Sequence, residues 1–450
     1  EFAQELVAFL SHEQSATLRQ WILLIEKPEQ GFDALIEHPE ISVEEGVLQD
    51  AWLRFARANP QAALTRFSRL VKARGWSEAR SSAYARSLAL GLSWSRHHDS
   101  LQYFAKVLPA DRTDQYYEWY VRAALWAGDW TLVGSVIDAM PQSLKTQARW
   151  RYWWARAQQQ LTGLEAARTT YQKLVDEEDN YFAAMAAARL GVRYAPHAKS
   201  LAVNEALAQQ VIFQPVMLRI RELLSVDLRG DAINEWNAQA LAWPVEQQQA
   251  AVRVIHGWGW YDQAILAAAR LGQYNDYPLL YPQPFDEVVD EAAQRSGLTA
   301  DLIYGQMRQE SLFRADAVSV ANARGLLQML PATARATAKQ FNLPMPSDEQ
   351  LFTPEVNVPL ATMHLKSLVD RYEGQILLAL AAYNAGSTAV RRWLPVQSMD
   401  SDIWMENIPY NETRNYVQRI LWHSLVFHWL RTSEPLDTKA WLAPISPVVQ

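Results

Sequence analysis

The stretch MRQESLFRADAVSVANARGLLQMLP, from Met307 to Pro331, places a carboxylate on the apolar face of a helix. Ile303, Met307 and Glu310 are spaced by four and three residues, so their side chains share one side of that helix. We predict that the helix begins near Asp301. A carboxylate among apolar side chains costs free energy unless it has a partner or a chemical purpose. The polar loop that follows ends at a proline able to start another helix, which indicates an α-helical unit.

The rest of the chain also reads as helices. Segments such as VLQDAWLRFARAN, QYYEWYVRAALWAG and RYWWARAQQQLTG have helical periodicity, and alternating strand patterns are almost absent. Turn residues recur at short intervals, and AKVLP and IDAMP end 32 residues apart at Pro109 and Pro141. Such spacing is typical of helical hairpins that stack into a superhelix. The predicted fold class is therefore all-α.

A proline-rich segment, YPLLYPQPF at Tyr277–Phe285, marks the clearest domain boundary, because proline interrupts helices. We predict an N-terminal α-superhelix of helical hairpins over residues 1–200 and a helical linker domain over 201–283. Residues 284–450 would then form a compact C-terminal domain of ordinary size.

Composition narrows the function. The chain of 450 residues has a net charge of −7 and a pI of about 5.8, which argues against nucleic-acid binding but leaves a local basic groove open. It has no cysteine, and no apolar run is long enough to span a membrane. No signal peptide is recognisable, and the chain begins without Met, as a processed or trimmed form would.

The C-terminal domain contains polar groups in patterns unlike ordinary helical sequence. They lie in three segments besides the one with Glu310: the loop SVANARGLLQMLP, the helix end AAYNAG and the helix start ENIPYNETRNYV. Burial raises the pKa of a carboxyl group, so a buried Glu310 can act as a general acid on a glycosidic oxygen. These segments contain hydroxyl, amide and aromatic side chains, a second carboxylate and a loop glycine, at Ser319, Gly325, Gln328, Tyr383, Asn384, Glu412 and Tyr416.

Taken together, QES, GLLQMLP, AAYNAG and IPYNETRNYV resemble the catalytic domain of soluble lytic transglycosylases, which is similar to goose-type lysozyme. The helical upstream regions resemble that family as well. By this resemblance Glu310 matches the single catalytic acid/base. The seven residues named above match the family's substrate-contacting motifs and are therefore the candidate substrate-binding residues. Leu327 replaces the family's usual Met, and Asn322 stands where a glycine is usual. Asn tolerates positive φ, so the loop should keep its shape.

The resemblance implies a lysozyme-like C-terminal domain that cleaves peptidoglycan glycan strands between MurNAc and GlcNAc. The muramic C6 hydroxyl would attack C1 and leave a 1,6-anhydroMurNAc end, with no cofactor and no metal. The family works in the periplasm, and its superhelix holds glycan strands and limits access to the cleft. Cell-wall synthesis or division proteins are further expected partners of the superhelix.

Ordinary structural roles compete with these assignments. Glu310 could form a salt bridge, and Glu412 could brace Arg414 or Arg419. The other residues could serve as turn, cap or core residues: Ser319 and Gln328 in the loop, Tyr383 and Asn384 at the helix end.

Two rival functions and one rival site also stay open. A hydrolase of the same fold would need a second carboxylate near Glu310, and the sequence shows none close by. A scaffold with a degenerate enzyme domain would be expected to lack Glu310 or the tyrosine motif. His97, His98 and Asp99 are adjacent metal-binding residue types, but we expect them to be solvent-exposed on a turn and predict no metal there.

Overall fold

The all-α prediction is confirmed in a computed structural model that describes residues 12–200 and 204–447. Among these residues extended structure is limited to isolated bridges between single residues. Within residues 12–200 the α-helices are α1 (His12–Glu26), α2 (Pro28–Glu37), α3 (Glu45–Ala58), α4 (Pro60–Ala73), α5 (Glu78–Trp94), α6 (Ser100–Phe104), α7 (Asp114–Ala127), α8 (Trp130–Asp138), α9 (Gln142–Lys145), α10 (Ala148–Thr162), α11 (Leu164–Glu177) and α12 (Tyr181–Leu190).

The remaining helices, from residue 204 onward, are α13 (Glu205–Ile212), α14 (Pro215–Ser225), α15 (Arg229–Gln239), α16 (Val245–Gly257), α17 (Tyr261–Arg270), α18 (Tyr277–Leu280), α19 (Asp286–Ser296), α20 (Ala300–Ser311), α21 (Pro331–Gln340), α22 (Pro354–Arg371), α23 (Ile376–Ala385), α24 (Ser387–Trp393), α25 (Ser401–Glu406) and α26 (Asn411–Thr432).

The contacts divide the chain into two compact units. Unit one comprises the residues up to Leu174 together with Asp402–Pro409, and unit two comprises Val175–Ser401 and the residues from Tyr410 onward. The predicted boundaries after residues 200 and 283 both fall inside unit two, and the three-domain division stays a prediction.

The core of unit one explains much of the aromatic content. Trp52 is fully buried, and its ring centroid lies 5.1 Å from that of Phe32 and 5.9 Å from that of Phe55. Its indole N–H donates to the Tyr84 carbonyl at 2.9 Å, so the one polar atom of the side chain is satisfied. Tyr116, one of the aromatic residues of α7, is buried as well.

Unit one also buries charge. The Arg122 guanidinium is fully buried and donates from Nε to Glu406 Oε1 at 3.0 Å, while Trp153 Nε1 donates to Glu406 Oε2 at 3.2 Å. Asp402 accepts from the Tyr152 hydroxyl at 2.6 Å and from Arg156 Nε at 3.2 Å. Both carboxylates come from the segment Asp402–Pro409, so paired charges attach that segment to α7 and α10.

In unit two, α20 packs directly on α26. A Cβ on Gly305 would lie 2.8 Å from Ser424 Oγ and 2.9 Å from Ser424 N, so only glycine permits this approach. The close packing of these two helices brings the end of α20 beside the first turns of α26.

Candidate active site

Glu310 lies in the last turn of α20, where the sequence placed it. Thr299 caps the helix by accepting from the Leu302 N–H at 3.3 Å, and the helix ends before Leu312, whose φ is +51°. Ile303 and Met307 on the same face are buried, whereas Glu310 keeps partial exposure. The carboxyl group therefore sits where an apolar face opens toward solvent.

A tyrosine holds the Glu310 carboxyl group. The Tyr416 hydroxyl donates to Glu310 Oε1 at 2.5 Å and accepts from Gln306 Nε2 at 3.5 Å. Burial raises the pKa of Glu310 to about 7, with a further upward contribution from the charge of Glu412 and an opposing one from the Tyr416 hydrogen bond. Near neutral pH a large fraction of Glu310 is thus protonated and able to act as an acid.

This pKa predicts a pH profile. The family resemblance predicts that the protonated form of Glu310 acts as the general acid, and on that prediction kcat/KM on glycan strands should be constant below pH 7 and fall about tenfold per pH unit above it. Rate measurements between pH 5 and 9 check this. A decline that begins near the ordinary carboxyl pKa of 4.5 would contradict the environment described for Glu310.

The same shift has a signature in stability, which serves as an independent control. Below pH 4.5 Glu310 is neutral in both the folded and the unfolded chain, and above pH 7 it is charged in both. The folded wild type therefore loses stability relative to Glu310→Gln as pH rises between these values, while the contributions of other titrating groups are common to both proteins. We expect the variant's advantage to grow to about 2 kcal/mol by pH 8, allowing for partial solvent screening. Denaturant titrations at pH 4 and pH 8 measure it.

The loop between α20 and α21 is closed by its own polar side chains. Ser319 Oγ accepts from the Ala323 N–H at 3.0 Å, and Gln328 Nε2 donates to the Ala317 carbonyl at 3.2 Å and to the Gly325 carbonyl at 3.0 Å. Ser319 and Gln328 thus have the turn roles that were considered as the alternative to substrate contact. Their contact with a substrate stays a prediction.

The loop backbone confirms two local expectations. Asn322 has φ +64°, the left-handed conformation that Asn tolerates in place of glycine. Pro331 is the first residue of α21, where its missing N–H costs nothing.

Both the backbone conformation and the close approach of neighbouring atoms require glycine at position 325. Its φ is +77°, and a Cβ would lie 2.1 Å from the Leu351 carbonyl oxygen and 2.5 Å from Asn357 Nδ2. The fully buried Asn357 side chain donates to the Arg324 carbonyl at 2.9 Å and to the Leu351 carbonyl at 2.8 Å, and accepts from the Leu327 N–H at 2.9 Å. One amide therefore fixes the Gly-Leu-Leu-Gln turn against α22.

Asn357→Ala should destabilise unit two by about 3 kcal/mol, because it leaves the buried Leu351 carbonyl and the buried Leu327 N–H without this partner and removes one of two bonds to the Arg324 carbonyl. The loop would loosen, and any activity should fall with it. Chemical denaturation measures the effect. Asn237→Ala, an exposed asparagine in α15, is the matched control and should change stability by less than about 0.5 kcal/mol. Equal effects from both substitutions would contradict the role of Asn357.

The helix end AAYNAG brings two further predicted residues to the loop. Gly386 ends α23 as expected, with its N–H donating to the Ala382 carbonyl at 2.9 Å. The Tyr383 hydroxyl donates to the Leu327 carbonyl at 2.7 Å, and burial, followed by the charge of Glu310, holds the pKa of Tyr383 well above its usual value. Tyr383 is thus a neutral hydroxyl within electrostatic reach of the acid.

Asn384 and Glu412 connect to the start of α26 in different ways. The buried Thr413 hydroxyl donates to Asn384 Oδ1 at 2.6 Å. Glu412 is exposed at the start of α26. Its charge nonetheless raises the pKa of Glu310, which places a second carboxylate within electrostatic range of the first.

Sequence reasoning missed the residues that hold the site together. Asn357 lies between two valines in the sequence, whereas Thr413 lies in the polar stretch NETRN at the start of α26, so neither position suggested a role at the site. His364 was missed too: its ring centroid is 5.4 Å from that of Tyr383, and burial lowers its pKa to about 4. A polar residue at a helix position where the apolar pattern expects a buried side chain is the sequence signal that could have identified them.

Three further histidines, His97, His98 and His423, lie in environments different from that of His364. His97, His98 and Asp99 each offer one ligand atom, and these three atoms lie within 4.8 Å of one another, although His98 is largely exposed. His97 Nδ1 already accepts from the Asp99 N–H at 3.2 Å. His423 is buried between the Tyr281 hydroxyl at 3.0 Å and Arg308 Nη1 at 3.2 Å.

Two family models match this part of the chain. Residues 287–404 match the transglycosylase SLT domain, and residues 210–277 match the soluble lytic murein transglycosylase L domain. Within the described ranges, no helix has the length and apolar character needed to cross a membrane.

Full-length relatives carry the same descriptions. A putative soluble lytic murein transglycosylase of Haemophilus influenzae is 29% identical over 72% of this chain and 53% of its own length. The soluble lytic murein transglycosylase of Salmonella typhimurium is 28% identical over 70% of this chain and 49% of its own. The chain thus spans about half the length of these relatives.

Solved structures agree with the fold. An inactive glutamate-to-glutamine mutant of the lytic transglycosylase Slt from Pseudomonas aeruginosa superposes with a TM-score of 0.87 at 28% identity, over 97% of this chain and 71% of that one. The 70 kDa soluble lytic transglycosylase of Escherichia coli gives 0.79 at 21% identity, over 92% of this chain and 67% of that one, and supports the fold alone.

Proposed function

We propose that this chain, which belongs to the soluble lytic transglycosylase family, cleaves peptidoglycan glycan strands without water and uses Glu310 as its single acid/base. The observation that carries the proposal is the Glu310 carboxyl group, whose pKa burial raises to about 7 and which one tyrosine orients. The other predicted site residues supply neutral hydroxyl and amide groups around it.

In the first step Glu310 donates its proton to the oxygen that links MurNAc C1 to GlcNAc. Because the Tyr416 hydroxyl donates to Oε1, the transferable proton belongs on Oε2. The C1–O bond breaks, and the substrate's own 2-acetamido group stabilises the positive charge at C1, so no protein nucleophile is required. The carboxylate left on Glu310 keeps the Tyr416 hydrogen bond, which favours its charged form.

In the second step Glu310 accepts the proton of the muramic C6 hydroxyl as that oxygen attacks C1. The product is a 1,6-anhydroMurNAc end, and Glu310 returns to its protonated state. A pKa near 7 suits both steps, because the same group must give and take a proton. The residues Ser319, Gly325, Gln328, Tyr383, Asn384, Glu412 and Tyr416 are the proposed substrate-binding set, with no metal or organic cofactor.

The proposed cellular location and partners are those that the family resemblance implies. The enzyme would work on cell-wall murein in the periplasm, with the hairpins of the N-terminal region holding glycan strands or cell-wall proteins. The direct test is incubation of the purified chain with intact sacculi and measurement of soluble muropeptides. We expect release from sacculi and none from chitin, which lacks the muramic residue; no release from sacculi would overturn the proposal.

One observation favours a second candidate. The charge of Glu412 reaches Glu310, so a hydrolase with two carboxylates, in which water attacks C1, has a specific structural basis. The two reactions differ in their products, since hydrolysis leaves reducing MurNAc ends. Borohydride reduces such ends and leaves anhydro ends unchanged, and it therefore separates the two candidates.

A further inference from the structure

A buried amide lies one helical turn before Glu310. Gln306 is only 1% exposed and projects from α20 on the same side as Glu310, which follows four positions later. Its chain neighbours Gly305 and Met307 are buried as well, and Gly305 lets α26 pack directly against this part of α20. A buried amide costs free energy unless its hydrogen bonds are made. Its position therefore indicates a specific partner close to the proposed acid.

That partner is the Tyr416 hydroxyl. Gln306 Nε2 donates to Tyr416 Oη at 3.5 Å, and the same hydroxyl donates to Glu310 Oε1 at 2.5 Å. Tyr416 is 4% exposed, and burial holds its pKa well above the usual value, so the hydroxyl keeps its hydrogen. Three side chains thus form a directed chain of hydrogen bonds that runs from Gln306 through Tyr416 to Glu310.

The direction of this chain matters because a tyrosine hydroxyl and a carboxylic acid can pair in two ways. Either the tyrosine donates to the carboxyl group, or the acid donates its own hydrogen to the tyrosine oxygen. The second arrangement would turn the Glu310 proton toward Tyr416 and away from a substrate. Because the N–H of Gln306 approaches the tyrosine oxygen, the tyrosine hydrogen faces Glu310, which favours the first arrangement. Hydrogen bonds in such a chain also strengthen one another.

We propose that Gln306 is a positioning residue that turns the Tyr416 hydrogen toward Glu310 Oε1 and thereby keeps the acidic proton on Oε2, the oxygen left for the substrate. Gln306 would act through Tyr416 and would touch neither the sugar nor the breaking bond. The inference rests on the proposed function for the use of that proton. The other titratable groups that act on this pair are Glu412 at the start of α26 and Tyr383 at the end of α23, and both are kept in the variants below.

The first experiment observes the carboxyl group without catalysis. Glutamate side chains of the full chain are labelled with a heavy carbon isotope, and the titration midpoint of Glu310 is measured by NMR, with Glu310→Gln identifying its signal. Gln306→Met removes the amide at nearly constant volume. Tyr416 then stabilises the carboxylate less, so the midpoint should rise by about half a pH unit. A midpoint that stays unchanged or falls would overturn the proposal.

Two further variants support this measurement. Gln306→Leu also lacks the donor and is titrated in parallel, so that the test does not depend on the folding of a single variant; it should show the same rise. Gln294→Met, an exposed glutamine in α19, is the matched control and should keep the wild-type midpoint. A rise as large in Gln294→Met as in Gln306→Met would overturn the proposal.

The second experiment determines whether Gln306 acts through the tyrosine. On soluble glycan strands at pH 6, Gln306→Met should lower kcat about fivefold and leave KM unchanged, because Gln306 does not touch the sugar. In a Tyr416→Phe background the same substitution should leave the Glu310 midpoint unchanged, since the hydroxyl on which it acts is absent. An unchanged kcat, or an equal rise of the midpoint in both backgrounds, would overturn the proposal. If the wild type cleaves no strand, the proposed function fails, while the midpoints still decide the role of Gln306.

Discussion

Glu310→Gln is expected to lower the rate of glycan cleavage by about three orders of magnitude, because the proposed mechanism uses this carboxyl group both as general acid and as general base. Glutamine has nearly the same shape and can still accept the Tyr416 hydrogen bond, so the fold should be unaffected. The rate is measured as release of soluble muropeptides from sacculi at pH 6, where most of the wild-type Glu310 is protonated.

Glu412→Gln is the comparison variant. Glu412 is exposed, its charge raises the pKa of Glu310, and it belongs to the proposed substrate-binding set, so its replacement should lower that pKa and reduce the rate by less than about tenfold, mainly through KM. A loss as large as that of Glu310→Gln would assign a catalytic role to both carboxylates and favour the hydrolase. Full activity of Glu310→Gln would remove Glu310 from the chemistry altogether.

The largest effect on stability is expected from Glu406→Ala in unit one. This carboxylate is almost fully buried, and it accepts from the guanidinium of Arg122, which has no exposed surface, and from the Trp153 indole. Removing one member of a buried ion pair leaves the other charge in a low-dielectric interior, and the cost is about 3–5 kcal/mol. Chemical denaturation followed by tryptophan fluorescence reports it, since Trp153 lies next to the substitution.

Two further variants make the Glu406 prediction specific. Glu165→Ala removes a pair with Arg168 that lies on the surface and should leave the free energy of unfolding almost unchanged. Replacing Arg122 by Met in addition to Glu406→Ala should recover part of the loss, because it removes a fully buried guanidinium that would otherwise keep only its bond to the partly exposed Glu118 carboxylate. The account of unit one fails if Glu406→Ala and Glu165→Ala unfold at the same denaturant concentration.

Features that depend on residues close together in the sequence were predicted correctly. The α20 helix, the proline start of α21, the glycine end of α23 and the left-handed Asn322 all follow from residues within a few positions of each other. The candidate residues Glu310 and Tyr416 were both expected at the site, and the structure joins them by a hydrogen bond although 106 positions separate them. Here the motif resemblance, and not periodicity, supplied the connection.

The interactions that hold the site in place could not be predicted in this way. Asn357 acts on a loop 30 residues earlier in the chain, and the carboxylates of Asp402 and Glu406 pair with arginines about 250 to 280 residues away. Helical periodicity registers such residues only as polar interruptions of an apolar pattern. Glu412 shows the converse limit: its spacing of four from Tyr416 predicts a shared side, but at the second position of α26 it remains in solvent.

Cleavage in water enriched with heavy oxygen tests the central claim most directly. Purified protein digests sacculi in this solvent, and the masses of the released sugars are compared with those from a digest in ordinary water. Intramolecular attack by the muramic C6 hydroxyl predicts identical masses in the two solvents and products lighter by one water than reducing muropeptides. Incorporation of heavy oxygen at C1 would show that water is the nucleophile, and it would contradict the assignment of Glu310 as the acid/base of a transglycosylase.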